Sequence, residues 1–180
     1  MSFKDRIDFL KNLLDRVDGW LKFAEAKNGF LFTFTLASIA IGFRLTSQYE
    51  FNCFGIILYK FAFLIWIVGL IFLLAAYVPK INDIMLDVYK NRVGENNIEN
   101  ADLVFFKDIA DMDKSSYIKA MKCELLDEGS EFTELEISFI RQIHINSRIT
   151  LDKFWVFIPA YVAYLIGLGL ALPSFLFFTI

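Results

Sequence analysis

Three long segments of this sequence are almost free of charged residues, and they constrain the fold more than any other feature. Residues 29–43 carry no charge, residues 54–78 carry only Lys60, and residues 154–180 carry none. An α-helix rises 1.5 Å per residue, so the second and third segments are long enough to cross a ~30 Å hydrocarbon core. The first segment covers only about 22 Å and needs help from flanking residues or from Arg44, whose long side chain can reach the headgroups.

The composition excludes the alternative of three buried helices in a small soluble bundle. Apolar residues make up 57% of the 180, and a domain of this size has too much surface to hide that many from water. We therefore predict an all-α membrane protein. Its transmembrane helices are predicted at about 29–45, 54–78 and 154–180.

The overall charge and the few special residues exclude several other classes of protein. A net charge of −3 does not fit a strongly basic protein that binds duplex nucleic acid. Two Cys are too few for a disulfide scaffold, and one His cannot build a metal cluster with them. The first 28 residues are charged throughout, which predicts that they are not a signal peptide.

The distribution of Lys and Arg predicts the orientation in the membrane. Residues 1–28 contain six of them and residues 79–153 contain ten, whereas Arg44 and Lys60 are the only ones near the connection between the first two segments. Because basic residues collect on the cytoplasmic side, residues 1–28 and 79–153 are predicted to be cytoplasmic. Cys53 and Cys123 would then lie on opposite sides of the bilayer and could not form a disulfide within one chain.

The N-terminal region is predicted to be an amphipathic helix. Its apolar residues follow a 4-3-4-3-4 spacing, typical of a helix with one apolar stripe. These residues are Phe3, Ile7, Leu10, Leu14, Val17 and Leu21. The stripe is consistent with packing against the middle region of the same chain and also with self-association around a symmetry axis.

The region between the second and third transmembrane segments contains several helix signals. Residues 80–91 continue the second helix, and residues 103–110 are either a strand or a buried turn. Asp113 is suited to cap a helix over 114–127, with Gly129 just past its end. Thr133 and Glu136 form a capping box that opens a helix leading directly into the third transmembrane segment.

One face of that last helix carries a possible anion site. Arg141, His144 and Arg148 follow an i, i+3, i+7 spacing, which places them in one stripe. Arginine binds phosphate in a bidentate manner and histidine adds a switchable charge. The simpler interpretation is that this positive charge attracts lipid headgroups or acidic neighbours. Lys107 and Lys114 are the second choice of ligand residues.

Motifs of enzymes are missing from the sequence. It has no GxxxxGK[ST], GxSxG, HExxH or GxGxxG pattern, and the single His has no nucleophile paired with it by spacing. We therefore predict that the protein is not an enzyme. The remaining enzymatic hypothesis is an activity on lipid that uses Asp108, Asp111, Asp113 and His144.

Several short motifs, in order along the chain, resemble the Pycsar transmembrane effector family. The first is Trp20-x-x-Phe-Ala-Glu-Ala-Lys-Asn-Gly29, at the entry to the first transmembrane segment. The second combines Phe105-Phe-Lys-Asp-Ile-Ala110 with Ser116-Tyr117, and the third is Gln142-Ile-x-x-Asn-Ser147 with Lys153. The resemblance extends from about residue 12 to residue 172.

The resemblance implies an anti-phage effector in the bacterial inner membrane. A partner nucleotidyltransferase or cyclase would make a nucleotide signal, either a cyclic mononucleotide or an oligonucleotide, and the activated effector would permeabilise or depolarise the membrane. Such a protein needs no cofactor beyond this regulatory ligand. The chain has no separate cyclic-nucleotide-binding domain, so the ligand is expected to bind the cytoplasmic sensing region, 79–153, between subunits.

A pore of this kind requires several copies of the chain, because three helices cannot enclose one. We expect a homo-oligomer, a tetramer or similar, in contact with membrane lipids. The first transmembrane segment is the most polar, so Thr33, Thr35 and Ser38 are predicted to line the pore, with Glu25 and Lys27 at its mouth. The alternative is a membrane scaffold that recruits partners through its cytoplasmic helices and conducts no ions.

Overall fold

The structure, a computed structural model, describes residues 1–48, 50–75, 77, 101–127, 129–175 and 178–179. Five helices and two very short strands occur in this part of the chain. They are α1 (Phe3–Gln48), β1 (Glu50–Phe51), α2 (Cys53–Ala75), α3 (Phe106–Asp111), α4 (Lys114–Leu125), α5 (Glu134–Ser174) and β2 (Phe178–Thr179). The all-α prediction is confirmed, and α1, α2 and α5 are each long and apolar enough to cross a membrane. The predicted helix over 80–91 lies outside the described residues.

Helix α1 is longer than the sequence predicted, and this resolves the shortness of the first apolar segment. It continues past Arg44 to Gln48, where the hydroxyls of Thr46 and Ser47 donate hydrogen bonds to the carbonyl oxygen of Phe43 at 2.9 Å. At 1.5 Å per residue, residues 29–48 extend over about 30 Å. This helical segment is therefore about as long as a hydrocarbon core is thick, with Arg44 and three polar residues, 46–48, in its last part.

Helix α5 begins at the predicted capping box. The backbone N–H of Thr133 donates to Glu136 Oε2 at 2.8 Å, and the backbone N–H of Glu136 donates to Thr133 Oγ1 at 3.4 Å. The helix continues through Pro159 and ends at Ser174, directly after Pro173. The predicted third transmembrane segment extended to residue 180, but Phe178 and Thr179 are extended and pair antiparallel with Phe51 and Glu50.

Two short helices, α3 and α4, precede α5 in the chain. The segment that sequence alone left undecided, 103–110, is a turn followed by α3, so it contains no strand. Asp113 caps α4 as predicted, because its carboxylate accepts a hydrogen bond from the backbone N–H of Ser115 at 3.0 Å. Gly129 has a φ of +86°, a conformation that residues with a Cβ rarely adopt.

The chain divides into two compact units. The first, called here the polar unit, consists of residues 1–24 and 79–152, and the second, the apolar unit, consists of residues 25–78 and 153–180. In the polar unit, α1 pairs with α5 through Arg6 and Glu136 and through Asp18 and Asn146. From the first pair to the second, the residue numbers increase on both helices, so the two helices run parallel there.

The core of the polar unit contains part of the predicted N-terminal stripe, together with Leu13, which the spacing did not include. Leu10, Leu13 and Val17 are buried in one cluster with residues of α3, α4 and α5. Trp20 also contacts Phe106 of α3, with the ring centroids 5.4 Å apart. The stripe thus packs against the middle region of its own chain, which was one of the two interpretations that the spacing allowed.

The apolar unit is held together by close helix–helix contacts. The indole N–H of Trp66 on α2 donates to the backbone oxygen of Tyr164 on α5 at 3.2 Å, and the two rings stack with centroids 6.4 Å apart. Gly42 and Gly167 permit this packing, because a Cβ at either position would lie within 2.5 Å of the Tyr59 or Trp66 side chain. These glycines therefore fix how closely α1, α2 and α5 approach one another in this unit.

Candidate functional site

The polar unit brings four of the five predicted ligand residues into one electrostatic neighbourhood, called here the basic cluster: His144, Arg148, Lys107 and Lys114. His144 lies at its centre and is 3% exposed. Its Nε2 is 3.0 Å from the backbone oxygen of Met112, and its ring stacks on Tyr117 with centroids 6.0 Å apart. Burial lowers the pKa of His144, and the charge of Arg148 lowers it further, while the Met112 carbonyl and Asp113 act to raise it.

Asp111 is an acidic residue close to the basic cluster. Burial raises the pKa of Asp111, and Asp108 adds to this, whereas Lys107 and Arg148 act to lower it. Arg148 therefore lies near enough to both Asp111 and His144 to shift their pKa values, and Lys107 acts on the same carboxylate from one turn earlier on α3. An anion bound here would have to compete with the Asp111 side chain.

Lys114, at the edge of the basic cluster, and Arg141, the one predicted ligand residue outside it, differ in their surroundings. Lys114 is exposed at the start of α4, close enough to His144 for its charge to lower the pKa of the imidazole. Arg141 is exposed on α5, one turn before His144, and no contact ties it to the basic cluster. The i, i+3, i+7 stripe is present on the helix, but only its last two members face α3 and α4.

A polar network beside the basic cluster was not predicted from the sequence. The side-chain amide of Asn146 donates to Asp18 at 2.6 Å, and the side-chain amide of Gln142 donates to Asn146 Oδ1 at 2.8 Å. This network connects α1 to α5. The third motif of the resemblance contains Gln142 and Asn146, but no pattern in the sequence pairs that motif with Asp18.

The apolar unit contains a second polar group, called here the entrance cluster, formed by Glu25, Lys27, Asn28 and Lys153. Lys153 Nζ lies 3.2 Å from Glu25 Oε1, and the Asn28 side-chain amide donates to the backbone oxygen of Lys153 at 3.3 Å. Lys27 Nζ lies 4.3 Å from the centroid of the Phe157 ring. The two predicted mouth residues, Glu25 and Lys27, thus both contact α5 of the same chain.

The three predicted pore-lining hydroxyls point in different directions. Thr33 is exposed and donates to the backbone oxygen of Gly29 at 2.9 Å, as expected of a residue free to face lipid or a pore. Thr35 is 2% exposed and donates to the backbone oxygen of Leu31 at 2.7 Å, so it faces the interior of its own unit. Ser38 is half-buried, with its hydroxyl 3.5 Å from that of Tyr164.

The acidic residues of the lipid-enzyme hypothesis have structural partners. Asp113 caps α4, and Asp108 accepts a hydrogen bond from the backbone N–H of Asp102 at 3.1 Å. Within the described ranges, no group of three or more His, Cys, Asp or Glu side chains is arranged to hold a metal ion.

Comparison with known proteins gives one result. A family model described as the Pycsar effector protein domain matches residues 9–180, nearly the whole chain and both units. No curated protein and no solved structure gives a significant match.

Proposed function

The chain belongs to the Pycsar effector protein family and is a membrane-associated anti-phage effector, and from this membership we propose how it acts. A nucleotide signal made by a partner nucleotidyltransferase or cyclase binds the polar unit. Several copies of the chain then open an ion-conducting path through the bacterial inner membrane. The loss of membrane potential stops growth of the infected cell before phage are released.

The basic cluster supports a nucleotide as the signal. His144, Arg148, Lys107 and Lys114 come from three separate helices, and phosphate oxygens are the acceptors that such donors bind best. The side chain of Asp111 lies near Lys107 and Arg148, so a bound phosphate group would replace its carboxylate as their anionic partner. The ligand is a cyclic mononucleotide or an oligonucleotide.

The observation that carries the proposal is the continuity of α1 and α5. Each helix has a charged first part and an apolar second part with no break between them. If ligand binding at Arg148 tilts or rotates α5, the apolar part of the same helix is expected to move with it. Binding shifts the population of open and closed arrangements only if the ligand has different affinities for the two.

The pore requires a homo-oligomer, a tetramer or similar, with the N-terminus and residues 79–153 in the cytoplasm. A cyclic arrangement around an axis normal to the membrane keeps every copy at the same depth. It would place the equivalent copies of one residue, such as Glu25 or Thr33, in a ring around that axis. Rings of carboxylates favour cations.

The first test is the membrane potential of cells that express the protein with its partner synthase. We expect a voltage-sensitive dye to report depolarisation within minutes of phage infection, and no change when the synthase is inactivated. An unchanged potential in infected cells that are nevertheless protected would contradict the pore. That result would favour a scaffold that recruits partners.

The second test is ligand binding by the purified protein in detergent micelles. Because Arg148 lies in the basic cluster and Arg141 is exposed outside it, we expect Arg148→Ala to weaken nucleotide binding about tenfold or more. Arg141→Ala serves as the matched control on the same helix and is expected to have the smaller effect. Equal affinity of Arg148→Ala and wild type would move the site elsewhere.

A further inference from the structure

The entrance cluster contains a buried polar atom whose environment is incomplete. Asn28 is 1% exposed, and its Oδ1 has no hydrogen-bond partner among the described residues, although its Nδ2 donates to the backbone oxygen of Lys153. Leaving a buried acceptor unsatisfied costs about 1–3 kcal/mol. A protein seldom keeps such an atom at the junction of two helices unless another arrangement satisfies it.

A cationic donor belongs to the residue that Asn28 already contacts, Lys153. The Asn28 side chain donates through Nδ2 to the backbone oxygen of Lys153. In the described arrangement the Lys153 ammonium is 3.2 Å from Glu25 Oε1, and it lies 5.7 Å from the centroid of the Tyr77 ring. A lysine ammonium has three donors on a flexible four-carbon stem, so it can exchange one acceptor for another nearby.

The two acceptors differ in their exposure to solvent. The Glu25 side chain is 49% exposed, whereas Asn28 is 1% exposed. Glu25 therefore keeps part of its hydration when the ion pair opens, and the cost of leaving it without Lys153 is small. Lys27, the other cation nearby, contacts the rings of Phe157 and Phe154 at 4.3 and 5.2 Å.

We propose that Lys153 is a two-position switch at the entrance to the apolar unit. In the described position it neutralises Glu25, and in the second position it donates to Asn28 Oδ1 and leaves the Glu25 carboxylate charged and unpaired. Exchange between the two positions changes the charge of the ring that the copies of Glu25 would form. Lys153 is thus a positioning residue that determines both the opening and the cation preference of the pore, and this role rests on the proposed function.

The first experiment measures potassium efflux from proteoliposomes without any nucleotide. Lys153→Met removes the partner of Glu25 in every copy, and we expect it to raise basal efflux about fivefold. The charge-exchanged double variant, Glu25→Lys with Lys153→Glu, is expected to return efflux to within about twofold of wild type. Lys122→Met is the control, because it breaks the exposed pair with Glu131 and is expected to leave efflux unchanged.

Substitutions of Asn28 distinguish a switch from a merely structural contact. Asn28→Asp strengthens the second acceptor, so it is expected to raise basal efflux about fivefold. Asn28→Leu removes that acceptor at similar volume and is expected to leave basal efflux at or below the wild-type level. Damage to packing would move both variants in the same direction, so an equal rise in both, or no rise in Asn28→Asp, would overturn the proposal.

A second measurement separates failure of the switch from failure of the pore. Thermal unfolding in detergent micelles gives the coupling between Glu25→Gln and Lys153→Met, expected at about 2 °C for a partly exposed pair. In the Asn28→Asp background this coupling should fall by half or more, because Lys153 spends less time at Glu25. Unchanged coupling overturns the switch even if no variant conducts ions, whereas absence of efflux in all variants with reduced coupling overturns only the pore.

Discussion

At the scale of single residues, the packing of the apolar unit depends on glycines at the helix contacts. A Cβ at Gly167 would lie 2.3 Å from Nε1 of Trp66, a buried ring that is 2% exposed. We expect Gly167→Ala to lower the stability of the detergent-solubilised protein by about 1–3 kcal/mol, measured as a decrease in Tm, because the indole must move.

Gly169 provides the matched control for this prediction. It lies one half-turn further along α5, and a Cβ there meets nothing within 4 Å. Gly169→Ala should leave Tm unchanged or raise it slightly, because alanine favours the helix by up to about 1 kcal/mol. Equal effects of the two substitutions would show that the contact between Gly167 and Trp66 does not limit the approach of α2 and α5.

His144 gives the polar unit a predictable dependence on pH. Burial lowers the pKa of His144 in the folded state below its ordinary value of about 6.5. The unfolded chain therefore binds the proton first as pH falls, so the stabilising contribution is complete above pH ~6.5 and is lost progressively as pH drops towards the folded pKa. The measurement is Tm in detergent micelles between pH 7.5 and 5.

The variant that checks this dependence is His144→Gln, whose Nε2 can still donate to the Met112 carbonyl. We expect its Tm to fall less than that of wild type over the same pH range, because glutamine does not titrate. An identical pH profile for the two proteins would show that another group is responsible for the acid sensitivity.

At the scale of elements, the N-terminal helix shows what a periodic pattern can and cannot specify. The 4-3-4-3-4 spacing included Leu14, but Leu13 is the buried leucine, at 4% exposure, and Leu14 is only partly buried. Because Leu13 and Leu14 are adjacent, the apolar stripe can be drawn through either of them with helical spacing. The partner helices, which the N-terminal segment does not encode, decide which of the two faces the core.

This difference predicts unequal effects of two neighbouring substitutions. Leu13→Ala should destabilise the protein by about 2–4 kcal/mol, because it leaves a cavity between α1 and the other helices of the polar unit. Leu14→Ala should cost about 1 kcal/mol or less. Thermal unfolding of the two variants in the same detergent provides the comparison, and a larger loss for Leu14→Ala would place the other face of α1 in the core.

The start of α5 combines a helix cap with an ion pair to α1. Glu136 is fully buried, and its Oε1 accepts a hydrogen bond from Arg6 Nε at 2.7 Å. Burial acts to raise the pKa of Glu136, but the hydrogen bonds from Arg6 and Thr133 outweigh it and leave the pKa lowered. The resulting stabilisation is present above the ordinary pKa of glutamate, near pH 4.3, and is lost as pH falls through the folded pKa.

We expect Glu136→Gln to lower stability at pH 7 by about 2 kcal/mol, less than for a fully buried pair because Arg6 remains 15% exposed. Glu131→Gln is the control, because its pair with Lys122 is exposed and should contribute less than about 0.5 kcal/mol. Equal losses in urea or thermal unfolding would show that the Arg6 contact adds nothing beyond surface charge.

At the scale of the whole molecule, the sequence predicted the features that depend on local signals. The transmembrane helices, the cap at Asp113 and the capping box at Thr133 follow from hydropathy and from residues three positions apart. Contacts between distant segments, such as Glu25 with Lys153 or Asp18 with Asn146, could not be predicted in this way. They depend on the parallel pairing of α1 and α5, which no local pattern specifies.

The candidate sites show the same limit. Spacing placed Arg141 with His144 and Arg148, but the helices that pack against α5 select only the latter two. The pore hydroxyls were chosen for polarity alone, and Thr35 faces the interior of its own unit. Their roles in a pore remain predictions, because they depend on contacts between copies of the chain.

The most direct test of the account is cation efflux from proteoliposomes that contain the purified wild-type protein. Cyclic mononucleotides and cyclic and linear oligonucleotides would be added in turn. We expect at least one of them to raise potassium efflux well above that of protein-free liposomes, and Glu25→Gln to reduce that efflux without changing assembly. Efflux indistinguishable from protein-free liposomes with every nucleotide would contradict the account.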